Sequence, residues 1–227
     1  MFRCLLCHQP ARAATDLCPA CFADLPWIAH PCHTCSEPLA DPRESLCLRC
    51  QRELPTVDRC LAPLAYRFPV DQLILAMKNQ PRPELLASFS RWLAPALAGT
   101  DRPDLLLPVP MHPHRQQDRG FNQAGLLARQ LGRALNIPVR HDLLHKPQGT
   151  REQKSLNREE RQRNLAKAFR LERVPLLQLR PRPRHIALVD DVITTGATTT
   201  ILASLLKKSG VRRVDVWALA KTPLQQS

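Results

Sequence analysis

Residues Ile186 to Thr198 read IALVDDVITTGAT. The first four, Ile186, Ala187, Leu188 and Val189, form a continuous apolar run, the composition of a strand buried on both faces of a parallel sheet. Asp190 and Asp191 follow at its carboxyl end, where open α/β sheets bind ligands, so two carboxylates there are placed to meet a polar ligand. Val192 and Ile193 lead into Thr194, Thr195, Gly196, Ala197 and Thr198, a small, hydroxyl-rich turn that opens a helix. Such a helix start offers backbone N–H groups and threonine hydroxyls to a phosphate, and the helix dipole favours the negative charge. Two other readings compete. A strand ending in Asp-Asp also describes a Walker B element, but the chain has no GxxxxGK[ST] partner. An ordinary capping turn after a core strand is the plainer alternative.

The flanking sequence repeats the strand–helix alternation. Upstream, Leu105, Leu106 and Leu107 run into Val109 as a buried strand, followed by a polar loop. A helix is then expected from about Phe121, with Ala124, Leu127, Ala128, Leu131 and Leu135 on one face. Downstream, the helix opened by the threonine turn carries Ile201, Leu202, Leu205 and Leu206, ends in Lys207 and Lys208, and stops at Gly210. Val211 to Leu219 supplies a further strand. This alternation predicts a parallel α/β sheet flanked by helices. Residues 51–103 hold several prolines and mixed helical spacing around Leu73, Leu75, Met77, Leu85, Leu86 and Leu93, and read as a connector packed on the core. The length of 227 residues suits one domain of ordinary size plus a small metal-held module.

Eight of the nine cysteines fall in four CxxC pairs: Cys4 and Cys7, Cys18 and Cys21, Cys32 and Cys35, Cys47 and Cys50. Two thiolates at this spacing turn onto one ion, and two such pairs complete the tetrahedral sulfur set of a structural zinc. Eight ligands therefore predict two Zn²⁺ sites. The spacers between successive pairs are 10, 10 and 11 residues, so spacing alone leaves a cross-braced arrangement open. A disulfide framework belongs to secreted chains, and no charged segment followed by an apolar export core opens this sequence. No run approaches the roughly 18 apolar residues of a membrane span. A reduced, cytoplasmic protein without membrane insertion is expected. His8, His30 and His33 read as bystanders to the cysteines, and Cys60, in an apolar context, as a small buried residue.

The formal charge of +13 is unevenly distributed. Residues 1–60 hold 6 Lys and Arg against 7 Asp and Glu, whereas His112 to Arg170 hold 13 against 5. The cysteine module thus lacks the electrostatic footprint of an independent DNA-binding finger. The central basic stretch suits either a pyrophosphate or a nucleic-acid backbone, and part of it is solvated surface.

Two further stretches, PVPMHPHRQQDRGFNQAGLLARQL from Pro108 to Leu131 and TREQKSLNREERQRNLAKAF from Thr150 to Phe169, join Ile186–Thr198 in a common resemblance. The acidic strand and turn resemble the phosphoribosyl-pyrophosphate signature of type I phosphoribosyltransferases. The RGFNQ element at Arg119–Gln123 and the cysteine pairs narrow this to the ComF/GntX family, over nearly the whole chain. The resemblance implies a double zinc ribbon with sequential pairing at residues 1–55, a connector or hood at 56–103 and a phosphoribosyltransferase-like domain at 104–227. It also implies that Asp190 and Asp191 hold the ribose hydroxyls and favour an oxocarbenium-like transition state, that Thr194 to Thr198 cradle the 5′-phosphate, and that Val192 and Ile193 belong to the same substrate-binding stretch. Pro110, Arg115, Arg119 and Gly120 would lie about the pyrophosphate with Mg²⁺. Lys154 would face the ligand from a loop folded over it, together with Arg151, Gln153, Asn157, Arg158, Arg161 and Asn164. The partners implied are phosphoribosyl pyrophosphate or a nucleotide, with an acceptor that the sequence does not name. Because the family is associated with competence and the use of external DNA, the other class of function is binding of single-stranded DNA or of a DNA-processing protein. Against direct strand binding, Trp27, Trp92, Trp217, Tyr66 and six phenylalanines offer few stacking platforms.

Overall fold

Five parallel strands and the helices packed on their two faces build the core of the chain. The computed structural model describes residues 3–53, 55–80, 82–97, 99–147 and 168–224. In chain order the elements are α1 (Pro19–Ala23), α2 (Leu48–Arg52), β1 (Arg59–Leu61), β2 (Leu64–Ala65), α3 (Val70–Asn79), α4 (Pro83–Leu97), β3 (Leu105–Pro108) and α5 (Pro113–Arg119). They continue with α6 (Gln123–Leu135), β4 (Leu144–His145), β5 (Arg170–Leu171), α7 (Arg173–Gln178), β6 (His185–Ile193), α8 (Ala197–Lys208) and β7 (Arg213–Lys221). Lys154 and the other predicted loop residues, Arg151, Gln153, Asn157, Arg158, Arg161 and Asn164, lie outside the described residues.

The sheet runs β1–β7–β6–β3, with β2 also pairing β7. β1 and β2 lie along one edge of β7, Arg59 opposite Asp215 and Leu64 opposite Ala220, so Arg59–Leu61 and Leu64–Ala65 are strands of the sheet itself. Successive side chains alternate between two cores, as strand geometry requires. Leu106, Ala187, Val189, Trp217 and Leu219 face the layer of α3, α4 and α6. Leu105, Leu107, Ile186, Leu188, Val216 and Ala218 face Leu202, Ala203 and Leu206 of α8. Burial of both faces explains the unbroken apolar runs. No helix among the described residues is long and apolar enough to cross a membrane.

Three boundaries differ from the sequence expectation. β6 continues past Val189 to Ile193, because β7 is equally long and pairs Asp190 with Ala218, Val192 with Ala220 and Ile193 with Lys221. The acidic pair therefore belongs to the strand, where the backbone finds ladder partners. α6 starts two residues after Phe121, since Asn122 is its cap: the side-chain oxygen accepts from Ala124 N at 3.0 Å and Gly125 N at 3.4 Å. Val211 closes α8 instead of opening β7, its N–H donating to Leu206 O at 3.2 Å.

Each ribbon half docks on a different part of this body. The first sits on α4, where Trp92 Nε1 donates to Thr15 O at 2.9 Å, Ser88 Oγ donates to Asp16 Oδ2 at 2.6 Å, and Arg91 pairs with Asp16. The second meets the sheet edge, where Ser36 Oγ donates to Cys60 O at 2.7 Å and accepts from Ala62 N at 3.1 Å. Near the amino end of β7, Asp215 is fully buried between Arg213, which donates to both its oxygens at 3.0 Å, and His185, whose Nε2 is 3.0 Å away.

Candidate functional site

The carboxyl ends of β3 and β6 open onto a cleft of about 240 Å³. Four elements wall it. The loop after β3 contributes Val109, Pro110, Met111 and His112, and α5 contributes Arg115 and Arg119. Asn122, Gln123 and Ala124 come from the start of α6, while α3 reaches across with Lys78. Asp190, Asp191 and Thr198 form the floor, and Lys146 and Phe169 complete the rim. Asn122 ties two of these walls together, because its Nδ2 donates to Val109 O at 3.1 Å while its oxygen caps α6.

The acidic pair is the electrostatic centre. Asp191 Oδ2 lies 3.1 Å from Lys78 Nζ. Burial, and then the neighbouring Asp191 charge, push the Asp190 carboxyl well above its usual range, against the opposing pull of Lys78. Two carboxylates this close repel, and a cation or a pair of hydroxyl donors relieves that repulsion. Each carboxylate also accepts one backbone N–H: Asp190 Oδ1 from Asp191 N at 2.9 Å, and Asp191 Oδ1 from Val192 N at 2.8 Å. Gln123 adds a further sign of an incomplete site. It is 2% exposed, and among the described residues its buried Nε2 has no hydrogen-bond partner, which is costly unless something supplies an acceptor.

Not every sequence-predicted site residue reaches this cleft. Asp190, Asp191, Thr198, Pro110, Arg115 and Arg119 line it. Gly120 instead closes α5 in the left-handed region at φ 76°, its N–H donating to Gln116 O at 2.7 Å. Val192 packs against the α3–α4–α6 core, and Ile193 is 6% exposed on the α8 side. Gly196, at φ 78°, caps α8, and Ala197 is the first helical residue. Ile193, Thr195 and Gly196 border a second cavity of about 270 Å³, shared with Cys35 and Cys50 of the ribbon and with Lys221. Thr194 offers its carbonyl to Lys221 Nζ at 2.9 Å. Residues missed in the sequence are Lys78, His112, Asn122, Gln123, Lys146 and Phe169. Asn122 and Gln123 stand inside the quoted RGFNQ element, and an Asn before an apolar-periodic helix is a cap signal that could have found the first. Lys78 has no local signal, since its role exists only through the contact with Asp191.

The cysteines form two groups, Cys4, Cys7, Cys18 and Cys21, and Cys32, Cys35, Cys47 and Cys50, with the sulfurs of each group within 4.8 Å of one another. The pairing is sequential. Sulfur separations of 3.6 Å for Cys7–Cys18 and Cys35–Cys47 match the edge of a tetrahedron with Zn–S of about 2.3 Å, roughly 3.8 Å. Backbone N–H groups also point at the sulfurs, Cys21 N at Cys18 Sγ (3.4 Å) and Cys47 N at Cys32 Sγ (3.3 Å). These are two structural zinc sites. His8, His30 and His33 belong to neither group. Burial pushes the Cys60 thiol up to about 12, which leaves it protonated and unreactive.

The chain resembles several known proteins. Residues 2–51 match the double zinc ribbon domain. The chain is 33% identical over 225 residues to the DNA utilization protein YhgH of Escherichia coli O157:H7, covering 96% of this chain and 90% of that protein. It is 33% identical over 228 residues to competence protein F of Haemophilus influenzae, covering 97% of each. Among solved structures it is similar to an adenine phosphoribosyltransferase from Thermoanaerobacter pseudethanolicus, at 18% identity and a TM-score of 0.38 over 61% of this chain and 80% of that one. With relatives 33% identical over nearly its whole length, the chain belongs to the ComF/GntX family.

Proposed function

We propose that the cleft binds phosphoribosyl pyrophosphate together with Mg²⁺, and that the protein transfers phosphoribosyl to or from a nitrogen acceptor in the use or uptake of DNA. One observation carries this reading: the Asp190–Asp191 pair lies between a glycine-capped helix start and a wall of cations. Asp190 and Asp191 accept hydrogen bonds from the two ribose hydroxyls, which relieves their mutual repulsion. Their charge also favours positive character at the anomeric carbon as its bond to the leaving oxygen stretches. Thr194–Thr198 present N–H and hydroxyl donors to the 5′-phosphate. Lys78, Arg115, Arg119 and Lys146 face the diphosphate, where Arg forks suit its oxygens. Lys154 is assigned to the same ligand. Gln123 Nε2 then gains the acceptor it lacks. Mg²⁺ entering with the diphosphate would, when bound, offset the negative charge of the departing group. The reduced thiolate clusters suit a cytoplasmic setting.

The test is calorimetric titration of the zinc-loaded protein with phosphoribosyl pyrophosphate and Mg²⁺, beside the Asp190→Asn/Asp191→Asn variant. Binding in the wild type and its loss in the variant support the site. Equal affinity in both would sink the assignment. Pyrophosphate release with candidate acceptors then separates turnover from binding alone.

A second reading is a non-catalytic factor that binds single-stranded DNA or a DNA-processing protein. It is favoured by the basic stretch His112–Arg170 and by the names of the two relatives, a DNA utilization protein and a competence protein. That reading expects an affinity for single strands that falls steeply with salt, without pyrophosphate release.

A further inference from the structure

Lys221, at the end of β7, is 1% exposed. Its ammonium donates to Thr194 O at 2.9 Å and to Thr222 O at 2.6 Å, and it lies 3.1 Å from Glu37 Oε2. The two carbonyls take two of its three protons, and Glu37 Oε2, which makes no hydrogen bond among the described residues, stands at ion-pair distance. Of these, Glu37 alone carries a charge. A charge buried this deeply is costly without an opposite charge beside it, and Glu37 stands at that distance.

Glu37 comes from the second zinc ribbon, two residues beyond Cys35. Its carbonyl accepts from Cys32 N at 2.7 Å, which closes the cysteine knuckle, and its Oε1 accepts from Leu224 N at 2.7 Å. Ser36, between Cys35 and Glu37, is buried at φ 57°, and its hydroxyl bridges Cys60 O and Ala62 N at the sheet edge. The knuckle is thereby pinned to the sheet and delivers one carboxylate to one buried ammonium. The same ammonium holds the first carbonyl of the candidate phosphate turn. Because the peptide unit is planar and trans, fixing Thr194 C=O also fixes Thr195 N–H, pointing away from Lys221.

We infer that Lys221 is a positioning residue for the Thr194–Thr198 turn, and that Glu37 of the second zinc ribbon supplies the charge that keeps it there. The inference rests on the sugar-phosphate reading of the cleft. It gives the ribbon a task beyond tethering: the knuckle that holds zinc also sets the aim of the donors that would meet the 5′-phosphate. Without Lys221 the Thr194–Thr195 peptide plane is free to rotate. Without Glu37 the buried ammonium loses the carboxylate that stands 3.1 Å from it.

The experiment uses the full zinc-loaded chain and three variants: Lys221→Met, Glu37→Gln, and the two combined. Each is titrated with phosphoribosyl pyrophosphate and Mg²⁺, with zinc content and thermal midpoint measured alongside. Both single variants should lose affinity by about tenfold, the scale of one charge-assisted hydrogen bond, while keeping both zincs. The combined variant leaves no unpaired buried charge, so its midpoint should recover while its affinity stays low. Affinity that recovers together with the midpoint, or that is unchanged in Lys221→Met, would overturn the inference and leave a purely structural ion pair. Absence of binding by the wild type would instead overturn the sugar-phosphate reading. Positioning is then decided by amide line widths at Thr195 and Gly196: broadening in Lys221→Met and in the combined variant upholds it, and unchanged lines overturn it.

Discussion

The ammonium of Lys78 stands 3.1 Å from the carboxylate of Asp191, so the helix that follows the edge strands β1 and β2 reaches the acidic floor of the cleft. Both side chains are largely shielded, at 25% and 14% exposure, which places the pair between a surface bridge and a buried one. Lys78→Met should cost about 1–3 kcal/mol in urea unfolding at neutral pH, by leaving the Asp191 charge unopposed beside Asp190. It should also weaken binding of a diphosphate ligand. An unfolding midpoint equal to that of the wild type would show the pair to be energetically silent.

Asp190 carries a pH signature of its own. Its folded pKa lies above the unfolded one, so the native state binds the extra proton and stability falls as pH rises through that range. Asp190→Asn removes this penalty. The variant should melt about 2–4 °C higher than the wild type near pH 7.5, as expected for roughly 1 kcal/mol in a chain of this size. The gap should close near pH 4. A variant that is less stable at every pH would contradict the assigned strain.

Asp215 behaves in the opposite sense. Burial alone would raise its pKa, but His185 and Arg213 more than offset this and hold it below the usual carboxylate range. Its contribution is present above the unfolded pKa and is lost as pH falls through the depressed folded value. Asp215→Asn leaves Arg213, which is 30% exposed, with Asp101 as its remaining carboxylate, and should cost about 1–3 kcal/mol at pH 7, with the loss fading in acid. Denaturant curves for the two proteins at pH 7 and pH 3 check the sign.

Zinc stoichiometry tests the sequential pairing. The full chain should hold two equivalents, and Cys4→Ser and Cys32→Ser should each retain one. Their consequences should differ, because the first group docks on α4 through Thr15 and Asp16 and the second on the sheet edge through Ser36. Protease sensitivity should appear around α4 in the first variant and around β1 and β2 in the second. One equivalent in the wild type, or loss of both from one substitution, would refute two independent sites.

What the sequence disclosed follows from how local each signal is. Ile186–Val189 is readable as a strand because burial on both faces leaves no polar residue in the run. The α6 face is readable because Ala124, Leu127, Ala128 and Leu131 keep helical spacing. The cysteine pairs declare their chemistry by spacing, although only the fold shows which pairs share an ion. The continuation of β6 through Asp190 to Ile193 was hidden, because it depends on the length and register of β7. Hidden for the same reason were Lys78, Gln123 and the Glu37–Lys221 pair, whose meaning lies in partners far away in sequence. A lysine in a terminal strand reads as an ordinary solvated charge until the fold buries it.

The broken strand β1–β2 has a consequence for how the molecule survives in a crowded cell. Strand edges with unpaired amides recruit other strands and seed aggregates. Here the ribbon occupies that edge: Pro26 O accepts from Ala65 N and Ile28 N donates to Pro63 O, both at 2.8 Å, while Trp27 bridges Leu64. At the far edge, Pro138 and Arg140 shield Leu106 in the same way, at 2.9 and 3.1 Å. A chain starved of zinc would release the first of these guards and leave Leu64 and Ala65 adhesive. Solubility, and not only the shape of a binding cleft, is thus tied to the supply of a trace metal.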